Sequence, residues 1–305
     1  MNENNLFPPA PNEASDATDK AGPASGEPDD LTSVRAADAF SKINAFTKID
    51  AFSKSDALSG IDKFSIIDTF SKIDTWVFDL DNTLYPADNA LWPKIDARIT
   101  LFLGHLFGLD GMSARALQKY YYQRYGTTLR GLMQEHDVVA KEYLDFAHDV
   151  DRSCLVPNPS LARAIAALPG RKLILTNGTR DHALHTARAL GLDEMFEDIF
   201  DIVAADFLPK PEAATYERFF DRHAVDPARA IMFEDIARNL VVPHERGMTT
   251  ALVVPKPGQT DHREAFEIMG EATPPHIDYV TSDLEDFLAA AVRASAFPAK
   301  PRGGG

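Results

Sequence analysis

Cysteine is almost absent, since the 305-residue chain contains one, Cys154. A single cysteine excludes a disulfide within the chain and is compatible with a reducing compartment. Long apolar runs are also missing, because no stretch approaches the roughly 18 residues that a membrane-spanning helix needs. The first residues lack the basic segment followed by an apolar one that is typical of a secretory signal. We therefore expect a cytoplasmic protein.

Basic residues are scarce. The chain has 31 Lys and Arg against 46 Asp and Glu, which gives a formal net charge of -15. No run of basic residues compensates, so we expect neither a nucleic-acid polymer nor an anionic membrane as a principal partner. An anionic ligand would need a local binding site. The apolar content of 45% is sufficient for a substantial folded core.

The first third of the chain has two unusual segments. Residues 1–38 are rich in Pro, Asn, Asp, Ser and Ala and are predicted to be a disordered tail. Residues 39–74 read as six hexads: AFSKIN, AFTKID, AFSKSD, ALSGID, KFSIID and TFSKID. Their apolar positions lie three apart, which gives no single apolar face on an α-helix or a strand. We predict a loosely structured lead-in without catalytic role; the alternatives are a two-coil β-helix and a segment that binds a partner or itself.

The strand-like run from Trp76 to Leu80 ends in two acids. Its apolar residues indicate a strand buried on both faces, as in a parallel sheet. Burying an unpaired carboxylate is unfavourable, so Asp79 and Asp81 suggest a reactive site at the carboxyl end of this strand. In that interpretation Asp79 attacks a substrate and Asp81 moves protons. The alternative is an ordinary Asp-Asn-Thr turn.

A helical insert is predicted at residues 89–157. Helices are expected near residues 95–106, 113–125 and 137–149, separated by a turn-like piece at residues 125–133. Such an insert resembles a lid that excludes water and selects the substrate. Arg130 is a candidate substrate contact, although an exposed arginine is equally ordinary. The four tyrosines at 120, 121, 122 and 125 fit packing better than stacking on a base.

Two further strand ends carry polar residues. After residues 172–175 come Thr176, Asn177 and Gly178, and a helix is predicted to follow at residues 180–190. A hydroxyl, a flexible backbone and a helix N-terminus can together bind an anion. A plain turn between strand and helix is the alternative. After a strand at residues 199–204, Lys210 precedes Pro211, which is predicted to open a helix through residue 220. The ammonium would hold a phosphoryl group; the alternative is a solvated loop lysine held stiff by two prolines.

The strand at residues 230–234 also ends in acids, Glu234 and Asp235. Together with Asp79 and Asp81 they would place four carboxylates around Lys210. Such a charge excess requires a divalent cation, and oxygen ligands with a phosphate substrate favour Mg²⁺. Solvent-facing salt bridges are the alternative, but the repeated placement of polar residues at strand ends disfavours it.

Four motifs together resemble those of the haloacid dehalogenase-like phosphohydrolase superfamily. They are FDLDNT, LTNGT, the Lys of LPKPE, and FEDIARN, in that order over about residues 75–255. More narrowly, FDLDNTLYP, YGTTLRGLM and LTNGTRDHA resemble the pyrimidine 5′-nucleotidase branch. The resemblance implies an α/β fold: a Rossmann-like parallel sheet at residues 75–88 and 158–290, a helical cap at 89–157 and a tail at 291–305. Two departures are the Glu-Asp pair of the fourth motif, where many relatives have Asp-Asp, and the hexads.

The resemblance also implies a mechanism. Asp79 would form an aspartyl-phosphate, and Asp81 would protonate the leaving group and then deprotonate water. Mg²⁺ would be held by Asp79, the Asp81 backbone carbonyl and Asp235, with Thr176 and Lys210 binding the phosphate. Glu234 and Asn239 would orient metal-bound water or the loop, and Asn177 and Gly178 would contact the substrate. An acid at position 81 argues against a dehalogenase.

The expected function is therefore a Mg²⁺-dependent phosphomonoesterase that acts on a small phosphorylated metabolite. A nucleoside 5′-monophosphate, particularly a pyrimidine one, is the favoured substrate. The alternatives are a phosphoglucomutase-like phosphotransferase and a sugar-phosphate phosphatase. A binding protein that uses the hexads and has a vestigial hydrolase domain is the least favoured, because all four motifs are intact.

Overall fold

The computed structural model describes residues 68–268 and 272–295. Its centre is a parallel sheet of six strands in the order β3-β2-β1-β4-β5-β6. The strands are β1 (Thr75–Phe78), β2 (Arg171–Leu175), β3 (Asp198–Phe200), β4 (Ala230–Glu234), β5 (Thr249–Val253) and β6 (Tyr279–Thr281). The predicted α/β fold with a parallel sheet is confirmed.

Nine α-helices of the described residues accompany the sheet. They are α1 (Leu91–Phe107), α2 (Gly111–Tyr125), α3 (Thr128–His136), α4 (Ala140–His148), α5 (Pro159–Ala167), α6 (Arg180–Ala189), α7 (Ala213–His223), α8 (Val241–Glu245) and α9 (Leu284–Ser295). Within the described ranges, none is both long and apolar enough to cross a bilayer. The short 3₁₀ turns Pro227–Arg229 and Ala237–Leu240 flank β4.

Strand β1 lies at the middle of the sheet, between β2 and β4. All four of its residues are buried. Because alternate side chains of a strand point to opposite faces, Trp76 and Phe78 pack into one apolar core and Val77 into another. The parallel register brings the carboxyl ends of β1, β2 and β4 together, so the residues that follow these strands share one rim.

Helices α1 to α4 form the predicted insert and have an apolar core of their own, which includes Leu103, Tyr121 and Leu132. The helix predicted at 113–125 matches α2. The prediction for 125–149 was wrong in detail, because α3 occupies the piece predicted as a turn. Its N-terminus is capped by Thr127, whose hydroxyl accepts from Arg130 N. Asp137 then takes a left-handed φ of 51°, which ends α3 and delays α4 to Ala140.

The last hexad, residues 69–74, is part of the folded core. Phe70 and Ile73 are 1% and 5% exposed. The Phe70 ring stacks on Trp76 at 6.2 Å and meets the edge of Phe287 at 5.9 Å. The prediction of a loose lead-in is therefore wrong for this hexad. The tail predicted at 1–38 and the hexad residues up to 67 lie outside the described residues.

Three boundaries differ from the prediction. Strand β3 ends at Phe200 instead of continuing to 204, because the Asp201 carboxylate accepts from Arg180 N and Ala204 N and turns the chain. Helix α7 begins at Ala213, two residues after Pro211. Helix α9 continues to Ser295 and so occupies the first five residues of the tail predicted at 291–305. Its last turn packs in the core through Ala294.

Candidate active site

Three carboxylates meet at the rim formed by β1 and β4. Oxygen atoms of Asp79, Glu234 and Asp235 all lie within 4.8 Å of one another. Their residues are 6%, 1% and 7% exposed. Asp79 directly follows β1, Glu234 ends β4 and Asp235 follows it. The strand pairing of Phe78 with Phe233 therefore places these acids together, as the sequence predicts.

The ammonium of Lys210 lies among these carboxylates. Its Nζ donates to Asp79 Oδ1 at 2.6 Å, to Glu234 Oε2 at 2.6 Å and to the backbone oxygen of Leu175 at 3.0 Å. Burial alone would lower the pKa of Lys210, but Asp79 and Glu234 outweigh it and raise the pKa above its ordinary value. Lys210 is therefore a fixed positive charge, bound to the residue predicted to attack.

One lysine does not neutralise three acids. Burial and the neighbouring Glu234 raise the pKa of Asp79 to about 7, in opposition to Lys210. Burial, Glu234 and Asp79 also raise the pKa of Asp235 well above its ordinary value. In addition, the Asn239 Oδ1 atom is buried without a hydrogen-bond partner. The site therefore has an excess of buried negative charge, carboxylate oxygens as ligands and an unpaired amide oxygen. These properties fit a hard divalent cation such as Mg²⁺.

The loop after β2 forms the neighbouring part of the rim. Thr176 is buried, and its hydroxyl accepts from Gly178 N at 2.9 Å. Asn177 Oδ1 accepts from Lys210 N at 2.8 Å, which joins this loop to the lysine loop. A Cβ on Gly178 would lie 3.0 Å from the His182 ring and 3.3 Å from the Thr176 hydroxyl. A larger residue would therefore crowd the His182 ring and the Thr176 hydroxyl, a constraint that the sequence-based turn interpretation does not include.

Asp81 lies apart from the three-acid cluster and has its own partners. Tyr85 OH donates to Asp81 Oδ1 at 2.7 Å, and His182 Nε2 lies 2.9 Å from the same oxygen. Burial would raise the pKa of Asp81, but His182 and Tyr85 outweigh it and lower the pKa to about 2. The carboxylate is therefore bound to Tyr85 and His182 and is not one of the three clustered acids, whereas the sequence argument grouped all four acids around Lys210.

His182 and Tyr85 were not identified as site residues from the sequence. His182 lies in the motif LTNGTRDHA and Tyr85 in the motif FDLDNTLYP, but neither residue directly follows a strand. The signal for His182 is its position in the first turn of α6, where Thr179 caps the helix and accepts from His182 N. The His182 ring lies beside the loop after β2, where a Cβ on Gly178 would be 3.0 Å from it.

A cavity of about 170 Å³ lies between the rim and the helical insert. Nine of the ten predicted site residues line it: Asp79, Asp81, Thr176, Asn177, Gly178, Lys210, Glu234, Asp235 and Asn239. The insert contributes a mixed wall. Its apolar and aromatic residues include Trp92, Ile95, Leu129 and Tyr143, and its polar ones include Asp96, Gln118 and Lys119. The tenth residue, Arg130, is not among the lining residues; its Nη1 pairs with Glu212 Oε1 at 2.5 Å and so joins the insert to LPKPE.

A third wall comes from residues 261–268, which we call the 261–268 segment. It belongs to the connection between β5 and β6, where the described residues form no helix or strand. Glu267 is buried; it accepts from Tyr122 OH of α2, and its Oε1 lies 3.1 Å from Arg238 Nη2. Glu264 pairs with Lys119 of α2. The 261–268 segment therefore fastens the insert to the core beside the fourth motif.

A family model for haloacid dehalogenase-like hydrolases matches residues 73–240, more than half of the 305-residue chain. The matched range begins just before β1 and ends after Asn239, so it spans all four motifs and the insert. The features that it covers are the strands and loops that form the acid-lined rim.

A curated relative is "Phosphate metabolism protein 8" of Saccharomyces cerevisiae, which is 26% identical over 157 residues. The match covers 46% of this chain and 48% of that protein, so the chain spans about half the length of the relative it matches.

Two solved structures are similar in outline. L-2-haloacid dehalogenase from Xanthobacter autotrophicus, with chloropropionic acid covalently bound, has a TM-score of 0.44 and 16% identity over 71% of this chain and 97% of that one. A HAD family hydrolase from Deinococcus radiodurans R1, with bound phosphate and sodium, has a TM-score of 0.44 and 20% identity over 73% and 97%. By the family model and the four motifs that it spans, the chain belongs to the haloacid dehalogenase-like hydrolases.

Proposed function

We propose that this chain is a Mg²⁺-dependent phosphomonoesterase that acts through an aspartyl-phosphate on Asp79. The observation that carries the proposal is the environment of Asp79. The residue lines the cavity, and its carboxylate is hydrogen-bonded to Lys210 and is next to Glu234 and Asp235. A buried acid that faces a cavity and is surrounded by groups suited to phosphate and metal is a candidate nucleophile.

In the first step, an oxygen of Asp79 attacks phosphorus as the bond from phosphorus to the ester oxygen breaks. Lys210 holds Oδ1 of Asp79, which leaves Oδ2 to form the new bond. Asp81 transfers a proton to the departing oxygen. A bound phosphate dianion beside Asp81 raises the pKa of that carboxyl, which favours the protonated form that this step requires.

In the second step, water attacks the phosphorus of the aspartyl-phosphate. Asp81 accepts the proton of the water, and the bond from phosphorus to Asp79 breaks, which releases phosphate and the free carboxylate. The Thr176 hydroxyl and the Lys210 ammonium bind phosphate oxygens in both steps. Because these groups are buried and already oriented, little reorganisation is needed when charge develops.

Asp79, Asp235 and the backbone carbonyl of Asp81 would hold Mg²⁺. When bound, the ion supplies positive charge that offsets the phosphate and the clustered acids. Glu234 is committed to Lys210 and to the Ile236 amide, so it supports the site and does not coordinate the metal directly. The buried, unpaired Asn239 Oδ1 is a candidate acceptor for metal-bound water.

For the substrate, we propose a nucleoside 5′-monophosphate, with pyrimidine nucleotides favoured. The likeness of three motifs to the pyrimidine 5′-nucleotidase branch supports this choice. So does the cavity wall, where Trp92, Tyr122 and Tyr143 offer apolar and aromatic surface to the planar base of the leaving nucleoside. The name of the yeast relative refers to phosphate metabolism, in agreement with a phosphate ester as substrate.

The test is a phosphate-release assay with and without Mg²⁺ over UMP, CMP, AMP and glucose 1-phosphate. We expect Mg²⁺-dependent release, fastest with UMP or CMP, and a loss of at least about 1,000-fold in Asp79→Asn. Isomerised sugar phosphate with little free phosphate would indicate a phosphotransferase instead. Undiminished turnover in Asp79→Asn would refute the proposed nucleophile.

A further inference from the structure

Arg152 lies on the chain segment that leads from the insert back to the core, between α4 and α5. Its guanidinium is held by backbone oxygens: Nη1 donates to Val150 at 3.1 Å and Nη2 to His148 at 3.2 Å. The same Nη2 lies 2.9 Å from Nδ1 of His182. Arg152 therefore connects this junction to a residue that contacts Asp81.

The Arg152 contact determines where the His182 ring carries its proton. A guanidinium has only donors, so Nδ1 of His182 must accept. The ring proton is then on Nε2, which donates to Asp81 Oδ1 over 2.9 Å. His182 is 1% exposed, so water does not compete for either ring nitrogen. A hydrogen at Nδ1 would face the guanidinium N–H, and the opposite tautomer is excluded.

His148 completes this arrangement from the insert. It is the last residue of α4, and its ring stacks on His182 with centroids 4.4 Å apart and planes 13° apart. Burial lowers the pKa of His148 to about 3, so the ring is uncharged and does not repel Arg152. His182 is therefore fixed in position by stacking and in tautomer by Arg152.

The consequence for Asp81 is an assignment of its two oxygens. Oδ1 accepts from both Tyr85 and His182, whereas the distance from His182 Nε2 to Oδ2 is 3.2 Å. Oδ2 faces the loop after β2, because a Cβ on Gly178 would lie 3.8 Å from it. Oδ1 has the two shorter hydrogen bonds and Oδ2 the longer one from His182, so Oδ2 is the oxygen better placed to exchange a proton with the ester oxygen or water.

We propose that Arg152 and His182 are positioning residues for the acid–base chemistry of Asp81. Arg152 fixes the His182 tautomer, and His182 holds Asp81 so that Oδ2 faces the reacting phosphate. The inference rests on the proposed phosphomonoesterase function and deepens it, since it links the junction between insert and core to proton transfer.

The kinetic test compares two leaving groups in the first turnover. Uridine needs a proton as it leaves UMP, whereas p-nitrophenolate needs almost none. We expect His182→Leu to slow uridine release by about 100-fold or more and Arg152→Met by about 10-fold, because a positioned general acid contributes roughly 10²–10⁴-fold. Nitrophenolate release should fall less than about 3-fold in both. His182→Gln, which keeps a donor towards Asp81, should recover most of the rate.

The matched control is Arg163→Met, because Arg163 is on α5 and, among the described residues, its side chain bonds within its own helix, to Ser160 Oγ. It should leave both rates unchanged. Equal losses for the two leaving groups in His182→Leu and Arg152→Met would indicate a merely structural role and overturn the proposal. Unchanged uridine release would overturn it as well.

A second measurement does not depend on catalysis. Imidazole ¹⁵N chemical shifts, assigned by difference with His182→Gln, should show an unprotonated Nδ1 and a protonated Nε2 for His182. Arg152→Met should mix the tautomers. A protonated Nδ1 in the wild-type protein would overturn the inference. If the wild-type protein released phosphate from neither substrate, the proposed function would fail, while the ¹⁵N shifts would still decide the Arg152–His182 relationship.

Discussion

Lys210 Nζ donates a hydrogen bond of 2.6 Å to Oδ1 of Asp79, across a sequence separation of 131 residues. The contact joins the loop that precedes α7 to the end of β1. Both side chains are almost completely buried, so each charge depends on its partners for stabilisation. This pair therefore contributes both to the stability of the fold and to the reactivity of the site. The free energy of unfolding and the catalytic rate can be measured separately.

Replacement of Lys210 by Met should destabilise the metal-free protein. The variant leaves Asp79 and Glu234 buried without their cation, and removal of one partner from a buried ion pair costs about 3–5 kcal/mol. Urea unfolding at neutral pH in EDTA measures the free energy. Lys141→Met removes an exposed pair one helical turn apart and should change stability by less than about 0.5 kcal/mol. Equal stability of the two variants would contradict this account of the cluster.

Mg²⁺ should stabilise the protein against heat. A ligand that binds only the folded state adds about 2.7 kcal/mol at 100 times its dissociation constant. The thermal midpoint in Mg²⁺ should therefore exceed that in EDTA, and Asp235→Asn should abolish the difference. Asp206→Asn, at an exposed carboxylate paired with Arg218, should retain it. A Mg²⁺ shift of wild-type size in Asp235→Asn would exclude Asp235 as a ligand.

Glu267→Ala should loosen the insert over the cavity. The substitution removes the acceptor of Tyr122 OH and the partner of Arg238, so the 261–268 segment is held to α2 less firmly, with the Glu264–Lys119 pair remaining. We expect the KM for UMP to rise about 3- to 10-fold, as for a loss of roughly 1 kcal/mol of binding. Amide hydrogen exchange in α2 should accelerate. The control is Glu245→Ala, at an exposed position on α8. If amide exchange in α2 of Glu267→Ala stayed as slow as in the wild-type protein, the segment would not restrain the insert.

Gly170→Ala should destabilise the core more than Gly108→Ala. Both glycines have positive φ, 75° and 65°. A Cβ at Gly170 would lie 2.1 Å from the backbone oxygen of Asp74, whereas nothing lies within 4 Å of one at Gly108. We expect about 1 kcal/mol for the strained backbone alone at Gly108 and more than about 3 kcal/mol at Gly170. Equal unfolding free energies in urea would show that β1 and β2 separate easily at this end.

The strands and the acids that end them could be predicted from the sequence because the signal is local. Buried runs such as Trp76–Leu80 are short and apolar throughout, and parallel pairing then places the residues after them on one rim. The helix that begins at Pro159 was also predictable, since Asn158 caps it and accepts from Leu161 N. These signals need no knowledge of distant contacts.

Residues whose role depends on distant contacts could not be assigned in this way. Arg130 lies between glycines in an exposed-looking piece, but a helix capped by Thr127 directs it to Glu212 and away from the cavity. His182 meets Asp81 across 101 residues of chain. Phe70 occurs in a repeat with no single apolar face, and its burial against Trp76 depends on the ring of Phe287.

The 261–268 segment affects the design of chimeras in which the helical insert of one relative is joined to the α/β core of another. The insert begins after the first motif, but one of the residues that hold it, Glu267, lies 145 residues after its partner Tyr122 and beyond the fourth motif. A chimera cut only at the two ends of the insert would join Tyr122 to a foreign counterpart. Transfer of substrate specificity should therefore require that the insert and the 261–268 segment come from the same protein.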